Sequence, residues 1–283
     1  MAKAHVEGKP LMKPGIVTNC WKALLDQGTA IGDLVRKGRD KGFPVIELRQ
    51  GCLGTAETDS VLARPDQLAE LAEECPEVDF DYAMAFPFLS AEANYQEPAL
   101  SLGQQAALAT AGQFTPHLRI VDVTTTGPAQ ENTPNLDALI QLAGSCQALG
   151  VKLSLEHSRQ PWDFFYGTVS QVRQALQEDH YPAICFDPAN FSLAGEQHMS
   201  AALLGSLRLS EISMVHIKQF RDGQFLESLE AGAVDWQQHR SLLEDRGYDG
   251  PLHMEISSSA DIWQRLDESL RYWENCSSQR PGG

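Results

Sequence analysis

Val151-Lys152-Leu153-Ser154-Leu155-Glu156-His157 follows Gly150 and a helix-like segment at 136–149. Leu153 and Leu155 share one parity, Ser154 and Glu156 the other. Successive side chains of a strand point to opposite faces, so this run turns its leucines toward one layer and brings a carboxylate to the other side at its end. The same order recurs along the chain. Strand-like runs occupy 15–21, 44–50, 80–88, 118–125, 151–157, 183–187, 212–218 and 252–257, and between them lie helix-like segments at 30–41, 65–74, 136–149, 169–178, 236–245 and 261–273. Several of these place apolar residues three and four apart. Gly42, Gly150 and Gly247 stand where a helix should stop before the next strand. Strand starts recur at roughly 34 residues, about the length a right-handed βαβ crossover requires. Eight such units predict an α/β chain closed as a single (β/α)8 TIM barrel over 14–276; the rival, a doubly wound open sheet, more often stops at five or six strands. A flexible leader at 1–13 and a tail at 277–283 are expected to flank it.

Composition fits one domain of this kind. The 283 residues suffice for a barrel of about 250. Hydrophobic residues at 42% provide a substantial core, which excludes a disordered or collagen-like chain. A net charge of −16 repels phosphate backbones and anionic membranes, so neither nucleic acid nor membrane is an expected partner. The six cysteines form no CxxC pair, and several sit inside apolar runs, as free thiols of a reducing cytosol do. No apolar signal region or membrane-length apolar run occurs, and a cytoplasmic location is expected.

The strand ends carry the chemistry. Ala183 and Cys185 side with Asp187; Val215 and Ile217 flank His216; Met254 and Ile256 flank Glu255. With Glu156, four consecutive strands end in Glu, Asp, His and Glu on the barrel's inner side, at the mouth where such folds place their active sites. Three unpartnered carboxylates there would be costly, and a divalent ion removes that cost. The mixed oxygen and imidazole set suits Mn²⁺, Mg²⁺, Co²⁺ or Zn²⁺. Each residue alone reads better as a capping or ion-paired group; the matching parity on successive strands reverses that preference and makes the four together a candidate metal centre. Arg49 and Lys218 share inward parity and would either touch substrate or form salt bridges at the mouth. His157, Arg159 and Arg221 add groups able to hold a hydroxyl, carboxylate or phosphate. His253, one layer below Glu255, reads as a buried structural histidine, and His180, His198 and His239 as solvated. Trp162, Phe164, Phe165 and Tyr166 follow the fifth strand and would wall the pocket, meet a neighbouring subunit or pack beneath a loop.

Leu155-Glu156-His157, Phe186-Asp187-Pro188-Ala189-Asn190, Val215-His216-Ile217-Lys218 and Gly247-Tyr248-Asp249-Gly250 leading to Met254-Glu255-Ile256 resemble the xylose-isomerase-like sugar isomerase/epimerase superfamily. Glu47-Leu48-Arg49 is a weaker match. The resemblance implies that Glu156, Asp187, His216 and Glu255 bind one divalent ion, often Mn²⁺, and that Glu156 and Glu255 also transfer protons. A small carbohydrate substrate is the expected partner, and Glu47, Arg49, His157, Asn190, Lys218 and Arg221 are the residues expected to meet it. Two positions depart from the family's pattern: Asn190 stands where many relatives have histidine, and Gln219 where many have aspartate. The expected activity is isomerisation or epimerisation of a sugar or sugar phosphate through an enediolate. An inosose-dehydratase-like lyase and a non-catalytic binding protein on the same barrel are the alternatives; a homo-oligomer is compatible with either. Abasic-site nuclease chemistry, found on related barrels, needs more ligand histidines and a cationic surface, against the charge of −16.

Overall fold

The computed structural model describes residues 12–57, 63–86, 88, 101, 103–106, 116–123 and 136–276. The expected leader (but for Met12 and Lys13) and the tail lie outside them. Eight strands close into a parallel barrel: β1 (Lys13–Val17), β2 (Val45–Arg49), β3 (Asp79–Ala85), β4 (His117–Val121), β5 (Lys152–Glu156), β6 (Ala183–Phe186), β7 (Ile212–Ile217) and, after a short hairpin of β8 (Phe220–Arg221) and β9 (Gln224–Phe225), β10 (Pro251–Met254). Each neighbour follows in chain order, and β1 closes the ring against β10 with Gly15 beside His253. The expected single (β/α)8 barrel is the observed fold.

Strand parity sorts the barrel into two layers. Ile46, Leu48, Leu118, Ile120, Leu153 and Leu155 are fully buried in the core cluster that also holds the helix faces. On the Ile31–Asp40 helix the buried positions are Leu34, Val35 and Gly38, and Gly38 lets Trp21 and Ile46 approach closely. The opposite parity fills the barrel axis with polar groups, including Glu47, Asp81, His117, Arg119, Ser154, His216 and His253, all buried. Gly15 is required there, because a Cβ would overlap the His253 ring. Gly42, Gly150 and Gly247 adopt the left-handed conformation expected of helix ends, with φ of 90°, 68° and 74°.

Two local expectations change. The aromatic run after β5 is the first turn of the helix Trp162–Leu176, which begins well before position 169 because Pro161 precedes it and Asp163 lies in the first turn. The first strand ends at Val17, and Thr18–Trp21 turns instead as a 3₁₀ helix, which points Asn19 into the mouth.

Candidate active site

Glu156 ends β5, Asp187 follows β6, His216 lies in β7 and Glu255 follows β10, and one ligand atom from each lies within 4.8 Å of all the others. His216 Nδ1 is 3.7 Å from Glu156 Oε1, 3.9 Å from Asp187 Oδ2 and 3.3 Å from Glu255 Oε2. Strand alternation aims these side chains at one point, as their parity predicts.

Fixed cations hold the carboxylates in place. The Lys218 ammonium sits 2.7 Å from both Asp187 Oδ2 and Glu255 Oε2. Arg49 pairs with Glu255 Oε1, which Asn19 Nδ2 also approaches at 3.2 Å. Burial acts to raise the Glu255 carboxyl, but Lys218 and Arg49 outweigh it and hold the group well below the usual carboxylate range. Asp187 moves the other way, to about 6, because burial outweighs Lys218. Its Oδ1 accepts from the Ala189 and Asn190 amides at 3.0 and 3.3 Å.

Beneath this group lies Arg119, fully buried, a residue that sequence reasoning missed. It donates to both oxygens of Glu47 and, at 2.5 Å, to Glu156 Oε2. Arg119 occupies an inward position of β4, so the parity that located Glu156 could have found it. Burial opposes ionisation of Glu47, yet Arg119 and His216 keep its carboxyl well below its ordinary value.

The site fits a divalent cation. Asp187 Oδ2 is buried and receives no directed hydrogen bond, although Lys218 Nζ is close enough for an ion pair. Two ligands on opposite sides of an ion at ~2.1 Å are about 4.2 Å apart, so the four donor atoms need close only slightly to share one. Behind His216, Glu47 Oε2 is 3.4 Å from Nε2, the place of the carboxylate that orients a ligating imidazole. Glu47, His216 and His253 also cluster, as do Glu156, Cys185 and His216, but each of these sets is weaker. Glu47 is committed to Arg119, and burial pushes the Cys185 thiol up to about 12, which keeps it protonated and a poor ligand.

A cavity of about 250 Å³ opens above the cluster, and its walls include Asn19, Arg49, Glu156, Arg159, Asn190, Lys218 and Glu255. Of the six residues expected to meet substrate, Arg49, Asn190 and Lys218 line it, whereas Glu47, His157 and Arg221 do not. Glu47 is one layer too deep. His157 turns outward from the barrel into an aromatic nest, 4.5 Å from the Phe191 ring and edge-on to Trp162 and Phe165, where burial lowers its pKa to about 4. Arg221 sits on the exposed β8–β9 hairpin, paired with Glu230 at 2.7 Å. His253 is buried and pushed down to about 3, as a neutral structural histidine should be. His239, expected to be solvated, is instead buried and within 3.1 Å of Ser200 Oγ.

The two departures from the family pattern have structural roles. The Asn190 side-chain amide donates to Glu156 Oε1 at 3.0 Å and to the His157 carbonyl at 2.9 Å, fixing the glutamate's orientation. The buried Gln219 amide donates to the Glu230 and Val234 carbonyls and accepts from the Phe220 and Val234 amides. An aspartate has no donor for those carbonyls.

A closed parallel barrel with ionisable groups gathered at the C-terminal ends of its strands defines the TIM-barrel class. Residues 86–276 match the profile of the xylose isomerase-like TIM barrel, and the chain belongs to that family. Similar solved structures include the IolI protein with a zinc atom (16% identity, TM-score 0.71, 94% of this chain and 96% of that one). L-ribulose 3-epimerase (15%, 0.70, 95% and 97%) and a xylose isomerase domain protein from Planctomyces limnophilus (13%, 0.68, 96% and 98%) are also similar. At these identities the likeness concerns the fold. No curated protein matches by sequence. Among the described residues, no helix is long and apolar enough to cross a membrane.

Proposed function

We propose that this chain is a divalent-metal-dependent isomerase or epimerase of a small sugar or sugar derivative, with Glu156 and Glu255 as the proton-transfer pair. The observation that carries this reading is a division of labour among the carboxylates. Asp187 is fully buried and fixed by backbone amides, while Glu156 and Glu255, from separate strands, reach the cavity wall. Of the three carboxylates in the proposed metal set, those two line the cavity and Asp187 does not.

Glu156, Asp187, His216 and Glu255 would hold the ion, Mn²⁺ by preference and Mg²⁺, Co²⁺ or Zn²⁺ as alternatives. When bound, it would polarise a carbonyl and its neighbouring hydroxyl and acidify the adjacent C–H. Glu255, kept ionised by Lys218 and Arg49, is in the form that accepts a proton. Glu156, oriented by Arg119 and Asn190, approaches from another strand and can return a proton to a different carbon or the opposite face. The IolI and epimerase likenesses support this class of reaction without selecting a substrate.

The test is proton NMR in D₂O with Mn²⁺-supplemented protein and a panel of ketoses and inososes. Uptake of one deuterium beside the carbonyl, abolished by chelator, is the expected result. Loss of water would redirect the reading to a lyase. If no compound exchanges and the purified protein retains no divalent metal, the non-catalytic alternative takes its place.

A further inference from the structure

Among the described residues, Arg159 is the arginine that bonds no carboxylate and no carbonyl; each of the others has such a partner. That is unexpected in a chain with 38 acidic residues against 22 basic ones. Arg159 is also placed where an unspent guanidinium matters. It lies exposed on the cavity wall, three residues beyond Glu156 and beside Ser158, another wall residue. The other two wall cations are engaged, because Arg49 and Lys218 both contact Glu255.

The charges around the cavity lead to the same conclusion. Four carboxylates, Glu47, Glu156, Asp187 and Glu255, face four cations, Arg49, Arg119, Arg159 and Lys218. With a divalent ion in place, two positive charges would be uncompensated in a partly desolvated space. A neutral sugar would leave them so. An anionic substrate would neutralise them, and the acidic remainder of the molecule makes a local cation necessary to attract it. The small cavity suits a ligand of single-sugar size, below the ~300–1,000 Å³ of sites for drug-sized ligands.

We infer that the substrate carries an anionic group, a carboxylate or a phosphate, at the end remote from its reacting carbons, and that Arg159 receives it at the cavity mouth. The inference rests on the proposed use of this cavity as the substrate site. Guanidinium suits the role, since it remains charged and can grip either oxyanion with two parallel N–H donors. The floor carboxylates are left to the reacting end.

The experiment is titration calorimetry of Mn²⁺-loaded protein at low salt with ketoses in matched forms that differ only at the terminal carbon: neutral, uronate and phosphate. D-fructose, D-fructuronate and D-fructose 6-phosphate form one such set, and D-tagatose with its uronate and 6-phosphate forms another. At least one anionic form should bind ten-fold or more tightly than its neutral parent, and which one does so separates carboxylate from phosphate. Arg159→Gln should abolish the difference by weakening the anionic form ten-fold or more and the neutral form far less, and Arg159→Lys should restore part of it. Equal binding of charged and neutral forms, no binding of any anionic form, or an Arg159→Gln loss shared equally by both kinds overturns the inference. The readout needs no turnover, so absent deuterium exchange with intact anion preference would refute the isomerase reading alone.

Discussion

The Lys218 ammonium lies 2.7 Å from Asp187 Oδ2 and the same distance from Glu255 Oε2, midway between two of the groups that would ligate a metal. An ion entering this centre therefore meets a cation already bound to its ligands. Burial works against the charged amine, but the carboxylates Asp187, Glu255 and Glu156 overcome it and raise its pKa. Lys218 also lies over the Phe225 ring, 4.6 Å from its centroid, so it has a favourable position on the cavity side of the ligands.

Replacing this lysine should make stability metal-dependent. Lys218→Met leaves two buried carboxylates without their shared cation, a loss of about 3–5 kcal/mol by analogy with other buried pairs. In chelator the variant should melt well below the wild type. Mn²⁺, which supplies the missing charge, should raise its melting temperature by more than it raises that of the wild type. Equal shifts in calorimetric scans would show that ammonium and metal do not share these oxygens.

The carboxylates should separate into two classes on mutation. Glu156→Gln and Glu255→Gln keep a metal-ligating oxygen but lose the proton acceptor, so turnover of a confirmed substrate should fall by about 10²- to 10⁴-fold with metal still bound. Asp187→Asn, which lies off the cavity, should instead weaken metal retention, and excess Mn²⁺ should recover part of its rate. Steady-state kinetics beside metal analysis of the dialysed variants distinguishes the two patterns.

How far the chain could be read in advance depended on whether a residue's role follows from strand alternation. Glu156, Asp187, His216 and Glu255 were legible because an ordered strand has only two faces and each ends beside apolar neighbours of the other parity. Arg119 had the same signature within His117–Val121 but lay one layer below the strand ends, where acids and imidazoles drew attention instead. Glu47 was located on the correct face and at the wrong depth, since depth depends on stagger between strands and alternation does not encode it. His157 and Arg221 lie beyond their strands, where side-chain direction is set by the turn: a helix entry for one, an exposed hairpin for the other.

Arg119 should be a principal determinant of barrel stability. Arg119→Met leaves Glu47 and Glu156 buried without their cation, and about 3–5 kcal/mol should be lost. The double variant Arg119→Met/Glu47→Leu removes one stranded charge together with its partner and should recover part of that loss. Urea unfolding would show this as a midpoint that falls and then partly returns. A single variant as stable as wild type would mean that the buried cluster is held by something other than this guanidinium.

Acid should weaken the fold before the ordinary carboxylates titrate. Burial lowers the pKa of His117 and His253 to about 3 and that of His157 to about 4. In the unfolded chain each titrates near ~6.5. Between that value and the folded one, the unfolded state holds the additional proton, so stability falls as pH falls, by about 1.4 kcal/mol per pH unit for each histidine once past its unfolded pKa. Asp187, with a folded pKa of about 6, opposes this trend, as do Asp81, raised by burial and by Glu47, and Glu57, raised by burial, because in each the native state takes up the proton first. The four lowered histidines, with His239 also pushed down by burial, outnumber the raised carboxyls Asp187, Asp81 and Glu57, so a shallow net loss remains between about pH 6 and 4.5. The melting temperature should therefore decline across this interval, and His117→Gln, which removes one titrating group while retaining a donor for the Ser154 hydroxyl, should make the decline shallower. A flat profile would mean that these rings take up a proton in the native state as readily as in the unfolded chain, so that burial does not depress them.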